Sequence, residues 1–122
     1  MLEISQREGL RVVVASADAT YRRTAGAALS RAGHEVYVAA ATDHRAVRLA
    51  RLRRAHVLVI DVSGGADLPL LTVPAPAAPA VVRVDDSGDG TTVQKWGPLE
   101  ALVARVEDAG HPQDHLRVVP GE

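Results

Sequence analysis

The sequence contains no cysteine and no phenylalanine, and its aromatic side chains are limited to two tyrosines and one tryptophan. Without cysteine the chain has no disulfide framework, no thiolate metal site and no cysteine nucleophile. The formal net charge is only −1, so no overall electric field favours nucleic acid or an anionic membrane. No apolar run approaches membrane-spanning length, and the first residues are too mixed in polarity for a signal peptide. We therefore expect a soluble, cytoplasmic protein.

Lysine is also almost absent, since Lys95 is the only one and all the other Lys or Arg positions are arginine. An ammonium is a compact point charge and a guanidinium is a wide planar fork, so a lone lysine indicates a place that the fork does not suit. Asp61 is the second notable position, because it ends the most apolar run of the chain. We interpret Asp61 and Lys95 as an acid and an amine that face one another at the ends of two strands. The alternative is a turn residue and an ordinary strand-end charge.

Short apolar runs alternate with amphipathic segments over the first half of the chain. Strands are predicted at 10–15, 34–40 and 56–60, and helices at 19–32 and 44–54. Asp18 or Ser16 can cap the start of the first helix, and Gly33 stands where its C-terminal cap belongs. A strand, a helix and a strand in repeated order predict right-handed crossovers and a parallel sheet. The length favours a single domain that buries a real core.

The pattern becomes irregular in the second half of the chain. Residues 66–73 allow a helical turn or so before prolines end it. Further strands are predicted at 81–84 and 91–96, and a last helix from 99 to about 110. Residues 85–90 between these strands are too few for a helix, although parallel strands normally need a connection of about a dozen residues. Either an extended loop joins parallel strands, or Gly88 and Gly90 allow an antiparallel hairpin at the sheet edge.

Placed along these elements, the chain resembles a response-regulator receiver domain of the CheY-like family. The resemblance rests on 11–15 as the first strand, on 32–36 as a helix stop and second strand, and on 53–61 as the approach to a phospho-acceptor aspartate. Lys95 and 99–106 are similar to the strand-five lysine and the last helix. The resemblance implies an α/β, flavodoxin-like three-layer sandwich of five mainly parallel strands in the order 2-1-3-4-5, with the fourth helix missing or reduced. It divides the chain into an N-terminal extension (1–9), a receiver-like domain (10–110) and a flexible C-terminal tail (111–122).

The same resemblance implies a site at the carboxyl ends of the strands, where open parallel sheets bind ligands. It assigns Asp61 as the candidate phospho-acceptor and Lys95 as the candidate phosphate contact. The family binds Mg²⁺ with an acidic pair after strand one, but here those positions are Ser16 and Ala17. Asp18 lies one residue late. A hydroxyl and a methyl group do not replace two carboxylates as ligands of a hard cation.

Two further family positions also differ. The strand-four Ser/Thr that senses the phosphoryl group falls at Val84 or Asp85, and neither has a hydroxyl. The residue after the lysine, usually proline, is Trp96. We therefore predict that these three residues, together with those after strand one, form a vestigial site without a metal.

We predict an atypical, degenerate receiver-like signalling module, or pseudo-receiver, that acts by protein–protein interaction without aspartyl phosphorylation. It is not expected to be an enzyme or to need a cofactor. A protein partner is expected and a homodimer is allowed, whereas membrane and nucleic-acid binding are not expected; the composition is typical of a GC-rich bacterium. One alternative is a phosphorylation-competent receiver in a phosphorelay, which recruits Mg²⁺ through Asp61, Asp18 and water. The other is a small-ligand sensor that uses the same cleft through Ser16, Asp85 and Trp96.

Overall fold

The computed structural model describes residues 9–63, 79–88 and 92–110. In chain order its elements are β1 (Arg11–Ala15), α1 (Ala19–Arg31), β2 (Glu35–Ala39), α2 (His44–Leu52), β3 (Val57–Asp61), β4 (Ala80–Asp85), β5 (Val93–Gln94) and α3 (Leu99–Gly110). The predictions that concern 1–8, 66–73 and 111–122 lie outside the described residues. None of these helices is long and apolar enough to cross a membrane.

The five strands form one sheet in the order β2-β1-β3-β4-β5, and every neighbouring pair is parallel. The predicted strand order is confirmed. Because β4 and β5 are also parallel, the alternative of an antiparallel hairpin is excluded. This connection consists of residues 86–92, of which the structure describes 86–88 and 92. So short a connection leaves no room for a fourth helix between these strands.

The loop between β4 and β5 is organised by the Asp85 carboxylate. Its Oδ1 oxygen accepts hydrogen bonds from the N–H groups of Ser87 at 3.1 Å and Gly88 at 2.8 Å, and from the Thr92 hydroxyl at 3.1 Å. Gly88 has a φ of +64°, and a Cβ atom there would lie 2.6 Å from the Gln94 Cβ. Only glycine satisfies both the left-handed backbone and this close approach.

The ends of α1 follow from its capping residues. The Asp18 Oδ1 oxygen accepts hydrogen bonds from the N–H groups of Thr20 at 3.0 Å and Tyr21 at 3.2 Å, so Asp18 rather than Ser16 is the N-cap. At the other end Gly33 adopts a φ of +99°, which is the left-handed conformation that commonly stops a helix. Both caps fix the helix between the ends of β1 and β2.

The second helix is shorter than the sequence predicts, because α2 ends at Leu52 and not at residue 54. Arg54 adopts a φ of +54°, a conformation outside the helical range. The carbonyl oxygens of Arg53 and Arg54 accept hydrogen bonds from the Arg11 Nε at 3.1 and 3.0 Å. This contact holds the end of α2 against the start of β1.

Alternate residues of the strands face opposite layers of helices. Val12 and Val14 of β1 belong to the core that α1 and α3 cover, whereas Val13 and Ala15 belong to the core on the α2 face. Both cores consist mainly of valine, alanine and leucine, so helices and sheet pack closely without large aromatic rings. The result is the three-layer sandwich that was predicted, with the carboxyl ends of the strands at one end.

Candidate functional site

Polar residues from three strands meet at the carboxyl end of the sheet. Ser16 directly follows β1, Asp61 is the last residue of β3, and Lys95 directly follows β5. The Lys95 N–H donates to the Asp85 carbonyl at 2.8 Å, which fixes the backbone from which the lysine side chain extends. The Asp61 Oδ2 and the Lys95 Nζ lie 3.1 Å apart. The acid and the amine that the sequence singled out therefore form an ion pair.

The Lys95 ammonium has three oxygen acceptors. Besides Asp61 it contacts the Asp18 Oδ2 at 3.2 Å and donates to the Ser63 hydroxyl at 3.2 Å. An ammonium has three N–H donors, so these oxygens satisfy all of them. Burial lowers the pKa of Lys95, but its hydrogen bonds with Asp61 and Asp18 outweigh burial and hold that pKa above its usual value. The side chain is only 10% exposed and stays charged at neutral pH.

Both oxygens of the buried Asp61 carboxylate accept hydrogen bonds. The Ser16 hydroxyl donates to Oδ2 at 2.6 Å, and the Ser63 N–H donates to Oδ1 at 2.9 Å. Burial raises the pKa of Asp61, but the hydrogen bonds from Ser16, Ser63 and Lys95 together outweigh it, and that pKa lies below its usual value. The Asp61 anion is therefore stabilised by hydrogen bonds from the protein, and each of its two oxygens accepts at least one of them.

The three residues after β1 have different roles. The buried Ser16 hydroxyl bridges two groups, because it donates to Asp61 and accepts from the Asp18 N–H at 3.0 Å. Ala17 is exposed. Asp18 caps α1 with Oδ1 and contacts Lys95 with Oδ2, and the pKa of Asp18 is lowered first by the Tyr21 N–H and then by Lys95. Within residues 9–63, 79–88 and 92–110 no group of three or more histidine, cysteine or carboxylate side chains is arranged to hold a metal ion.

Two aromatic rings lie beside the ammonium. The centroids of Tyr21 and Trp96 are 5.4 Å apart with an edge-to-face angle of 89°, and the Lys95 Nζ is 5.7 Å from each centroid. Tyr21 is buried, and its hydroxyl has no hydrogen-bond partner within the described part of the chain. Trp96 is 56% exposed. Trp96 therefore covers Tyr21 with an edge contact while one side of the indole remains open to solvent.

The predicted site also includes two residues of β4, Val84 and Asp85, and their side chains make different kinds of contact. Val84 is buried in the core and pairs with Asp61 in the register of β3 and β4. Asp85 was predicted as part of the vestigial site, but its carboxylate stabilises the β4–β5 loop as described above. The reason is local, because an aspartate carboxylate can accept hydrogen bonds from the backbone N–H groups two and three positions after it. Asp85 contributes to the site only through its carbonyl, which positions Lys95.

Ser63 and Tyr21 are contacts of Lys95 that the sequence did not single out. Ser63 lies two residues after Asp61, a spacing that is typical of an Asx-type turn in which the Ser63 N–H donates to the Asp61 carboxylate. This spacing does not indicate the contact between the Ser63 hydroxyl and Lys95. Tyr21 lies on the buried face of α1 and belongs to the hydrophobic core on that side of the sheet. Its position beside Lys95 depends on how α1 packs against β5, which the spacing of residues does not reveal.

The sequence matches the Rossmann-like domain family over residues 4–96, whereas no curated protein matches it. Among solved structures, it is similar to a CheY-like receiver domain from Methylobacillus flagellatus, with 11% identity, a TM-score of 0.62 and coverage of 84% of this chain and 99% of the other. The receiver domain of the putative response regulator NarL from Mycobacterium tuberculosis shows 19% identity and a TM-score of 0.65, and the match covers 85% of this chain and 98% of the other. The BeF3-activated DrrB receiver domain shows 16% identity and a TM-score of 0.57, and the match covers 83% of this chain and 97% of the other.

These identities are low, so the receiver structures establish the fold and its layer order but not the chemistry of the site. The family match is of a different kind, because it covers more than half of the sequence and runs from before β1 to Trp96. It includes every residue of the Asp61–Lys95 cluster. The chain therefore belongs to the Rossmann-like domain family and has the fold of a response-regulator receiver domain.

Proposed function

We propose that this protein is an atypical receiver-like signalling module, which acts by binding a protein partner and does not depend on phosphorylation of Asp61. The observation that carries the proposal is the position of the Lys95 ammonium between Asp61 and Asp18, at 3.1 and 3.2 Å from their oxygens. The ammonium already neutralises charge where a phosphoryl-transfer site of the receiver type uses a divalent cation. The likeness to receiver structures supports a role in signalling rather than in catalysis.

The residues of the cluster do not fit Mg²⁺. This ion requires near-octahedral oxygen coordination, usually with one or two carboxylates that are free to bind it. Here both Asp18 oxygens and both Asp61 oxygens already accept hydrogen bonds, and Ser16 supplies a neutral hydroxyl. A dication at this place would also lie beside the Lys95 ammonium. Coordination would therefore require that Lys95 leave its three acceptors.

The state of Asp61 also argues against an efficient phospho-acceptor. Its pKa is depressed and its oxygens are held by Ser16, Ser63 and Lys95, which weakens the carboxylate as a nucleophile. At the end of the adjacent strand, the Val84 side chain has no hydroxyl that could follow a phosphoryl group. Both features favour a module with one persistent conformation.

The test is an amide NMR titration with Mg²⁺, followed by Mg²⁺ plus beryllofluoride, which mimics an acyl phosphate. We expect no saturable shifts around Asp61 and Lys95 at millimolar concentration. The matched control carries Ser16→Asp and Ala17→Asp together, which restores an acidic pair and is expected to respond to Mg²⁺. Saturable shifts in the unsubstituted protein would instead establish the phosphorylation-competent alternative.

The interaction part of the proposal is tested separately with Asp61→Asn. A partner captured from the native cell extract should bind the native protein and Asp61→Asn with similar affinity, because the proposed contact does not use an acyl phosphate. A partner that binds only after treatment with a small phosphodonor, and only when Asp61 is present, contradicts the proposal.

The small-ligand alternative has one observation in its favour. The Tyr21 hydroxyl is buried and has no partner among the described residues, and the neighbouring Trp96 ring is half exposed. A buried hydroxyl without a partner costs free energy, which a bound polar group could offset. A thermal-shift screen with a metabolite library tests this alternative. A ligand-induced shift that Tyr21→Phe and Trp96→Ala both abolish would support it.

A further inference from the structure

The two edges of the sheet differ in their capacity to pair with another strand. On one side β5 consists of only two residues, Val93–Gln94. On the other side β2 is five residues long and pairs with β1 without a bulge. Short strands, bulges, proline and charged side chains are the usual devices that prevent edge pairing, and β2 has only one of them, the exposed Glu35 at its first position. Within the described part of the chain, no strand pairs with the outer side of β2.

The hydrogen bonds to β1 determine which groups of β2 face outward. The Glu35 N–H donates to the Leu10 carbonyl at 2.8 Å, and the Ala39 carbonyl accepts from the Ser16 N–H at 3.0 Å. In a parallel ladder, alternate residues direct both backbone groups to the same neighbour, so Glu35, Tyr37 and Ala39 bond to β1. The N–H and C=O groups of Val36 and Val38 therefore point away from the sheet.

This pattern is self-complementary about Tyr37. If a second copy approaches antiparallel, Val36 lies opposite the copy's Val38, and Val38 lies opposite the copy's Val36. Both of these are pairs that exchange two hydrogen bonds, so four bonds form across the two-fold axis. Tyr37 then faces its own copy at the non-hydrogen-bonded position on the axis. A closed two-fold contact of this kind uses the same patch on both subunits.

The side chains are compatible with the same arrangement. Val38 is 52% exposed, and Val36 and Val38 flank Gly26 of α1, where a Cβ atom would be 3.6 and 3.8 Å from their methyl groups. On the opposite face the Arg53 guanidinium lies 4.8 Å from the Tyr37 ring centroid. Pairing would bring the exposed Val38 onto the copy's Val36 and would place two tyrosines side by side. Cross-strand aliphatic and aromatic pairs of this kind stabilise antiparallel sheets.

We propose that two copies of this chain associate through antiparallel pairing of their β2 edges, which joins the two sheets into one of ten strands. The number follows from two sheets of five strands each. The inference goes beyond the proposed function and does not depend on the state of Asp61, because β2 lies at the opposite edge of the sheet from Lys95. A failure of one proposal therefore leaves the other unaffected.

Sedimentation velocity of the full chain, from low micromolar to near-millimolar concentration, tests the association. We expect the mass to rise from 12.9 kDa towards twice that value. Val38→Pro removes an outward N–H that β1 does not use and should abolish dimerisation while the chain stays folded. Val38→Lys should do the same by placing a charge at the edge, in case the proline disturbs folding. Leu52→Lys is the matched control, because Leu52 is 73% exposed on α2 and should leave the dimer intact.

A cysteine cross-link tests the register. The chain has no native cysteine, so Tyr37→Cys introduces a single thiol at the axis. Opposed residues at this position have Cα atoms about 4.5 Å apart, within the range that a disulfide spans. Mild oxidation should therefore give a disulfide dimer with Tyr37→Cys and none with Ala101→Cys on the exposed side of α3. A chain that is monomeric at every concentration, or a dimer that persists in both Val38 variants, would overturn the proposal.

Discussion

Replacing Lys95 with methionine tests whether the ammonium is the cation on which the site depends. The change keeps most of the side-chain volume but leaves Asp61 and Asp18 without their shared positive charge. At a separation of 3.1 Å, two unit charges in a medium of effective dielectric constant about 20 attract each other by about 5 kcal/mol. Burying the ammonium costs free energy, and the substitution removes this cost, which offsets part of the lost attraction. Solvent also reaches the cluster from the side of Asp18 and weakens the attraction further. We therefore expect unfolding free energy to fall by about 2–4 kcal/mol at neutral pH.

The loss should depend on pH in a defined direction. The pKa of Asp61 is depressed in the folded protein, so its ionised form contributes stability above the pKa of the unfolded chain, about 3.9, and this contribution disappears as the pH falls through the folded value. The raised pKa of Lys95 contributes stability that is present below about 10.4 and is lost as the pH rises through the folded value. The difference in unfolding free energy between native protein and Lys95→Met should have its full value at pH 7 and should become smaller below about pH 4.

Urea denaturation at pH 7 and at several lower pH values measures this difference, with circular dichroism as the readout. Arg83→Met is the matched control, since Arg83 is an exposed cation on β4 and its loss should change the midpoint little. Lys95→Arg is informative as well, because the planar fork keeps the charge but cannot reproduce three acceptors around one nitrogen. Equal midpoints for native protein and Lys95→Met at pH 7, or a difference that grows on acidification, would refute the reasoning.

Three further substitutions have expected effects on stability, all measurable by the same denaturation. Ser16→Ala removes the 2.6 Å donor to Asp61 and should cost about 1–3 kcal/mol, with a rise in the pKa of Asp61 that NMR titration can follow; an unchanged pKa would contradict the assigned bond. Gly33→Ala should cost about 1–2 kcal/mol, because the backbone is left-handed but no atom lies within 4 Å of the new Cβ. Gly88→Ala combines the same strain with a 2.6 Å contact to the Gln94 Cβ, so it should destabilise more than Gly33→Ala; the reverse order would show that the β4–β5 loop yields easily.

The parts of the fold that local pattern controls were predictable from the sequence. Valine-rich runs and helical spacing predicted a parallel sheet with right-handed crossovers, whereas the strand order was an implication of the resemblance to receiver domains. The capping glycine at Gly33 was readable from its place after the last apolar residue of α1. The end of α2 was not, because it depends on the left-handed conformation of Arg54, which the Arg11 side chain supports from a distant part of the chain.

The site was predictable only where backbone position decides the contact. Asp61 and Lys95 end up together because the carboxyl ends of parallel strands lie at one edge, whatever the side chains around them. Side-chain direction is a different matter, as Asp85 shows. Its position on β4 suggested a place in the cleft, but four nearby donors turn its carboxylate into the loop. Whether the Asp85 carboxylate bonds to local or to distant groups depends on donors that are in position only once the loop has folded.

The single lysine of the chain has a geometric explanation in the finished structure. Three oxygens, from Asp61, Asp18 and Ser63, surround one nitrogen at 3.1–3.2 Å. An ammonium meets such a set because its three N–H bonds diverge from one atom, whereas a guanidinium spreads its donors over a plane and is best matched by a carboxylate that accepts two parallel bonds. The described arginines are exposed or half-buried, and Arg11 and Arg22 use their guanidinium groups to bond backbone carbonyl oxygens. The scarcity of lysine in the sequence therefore carries information about the site, since it marks the one described place where a point charge is required.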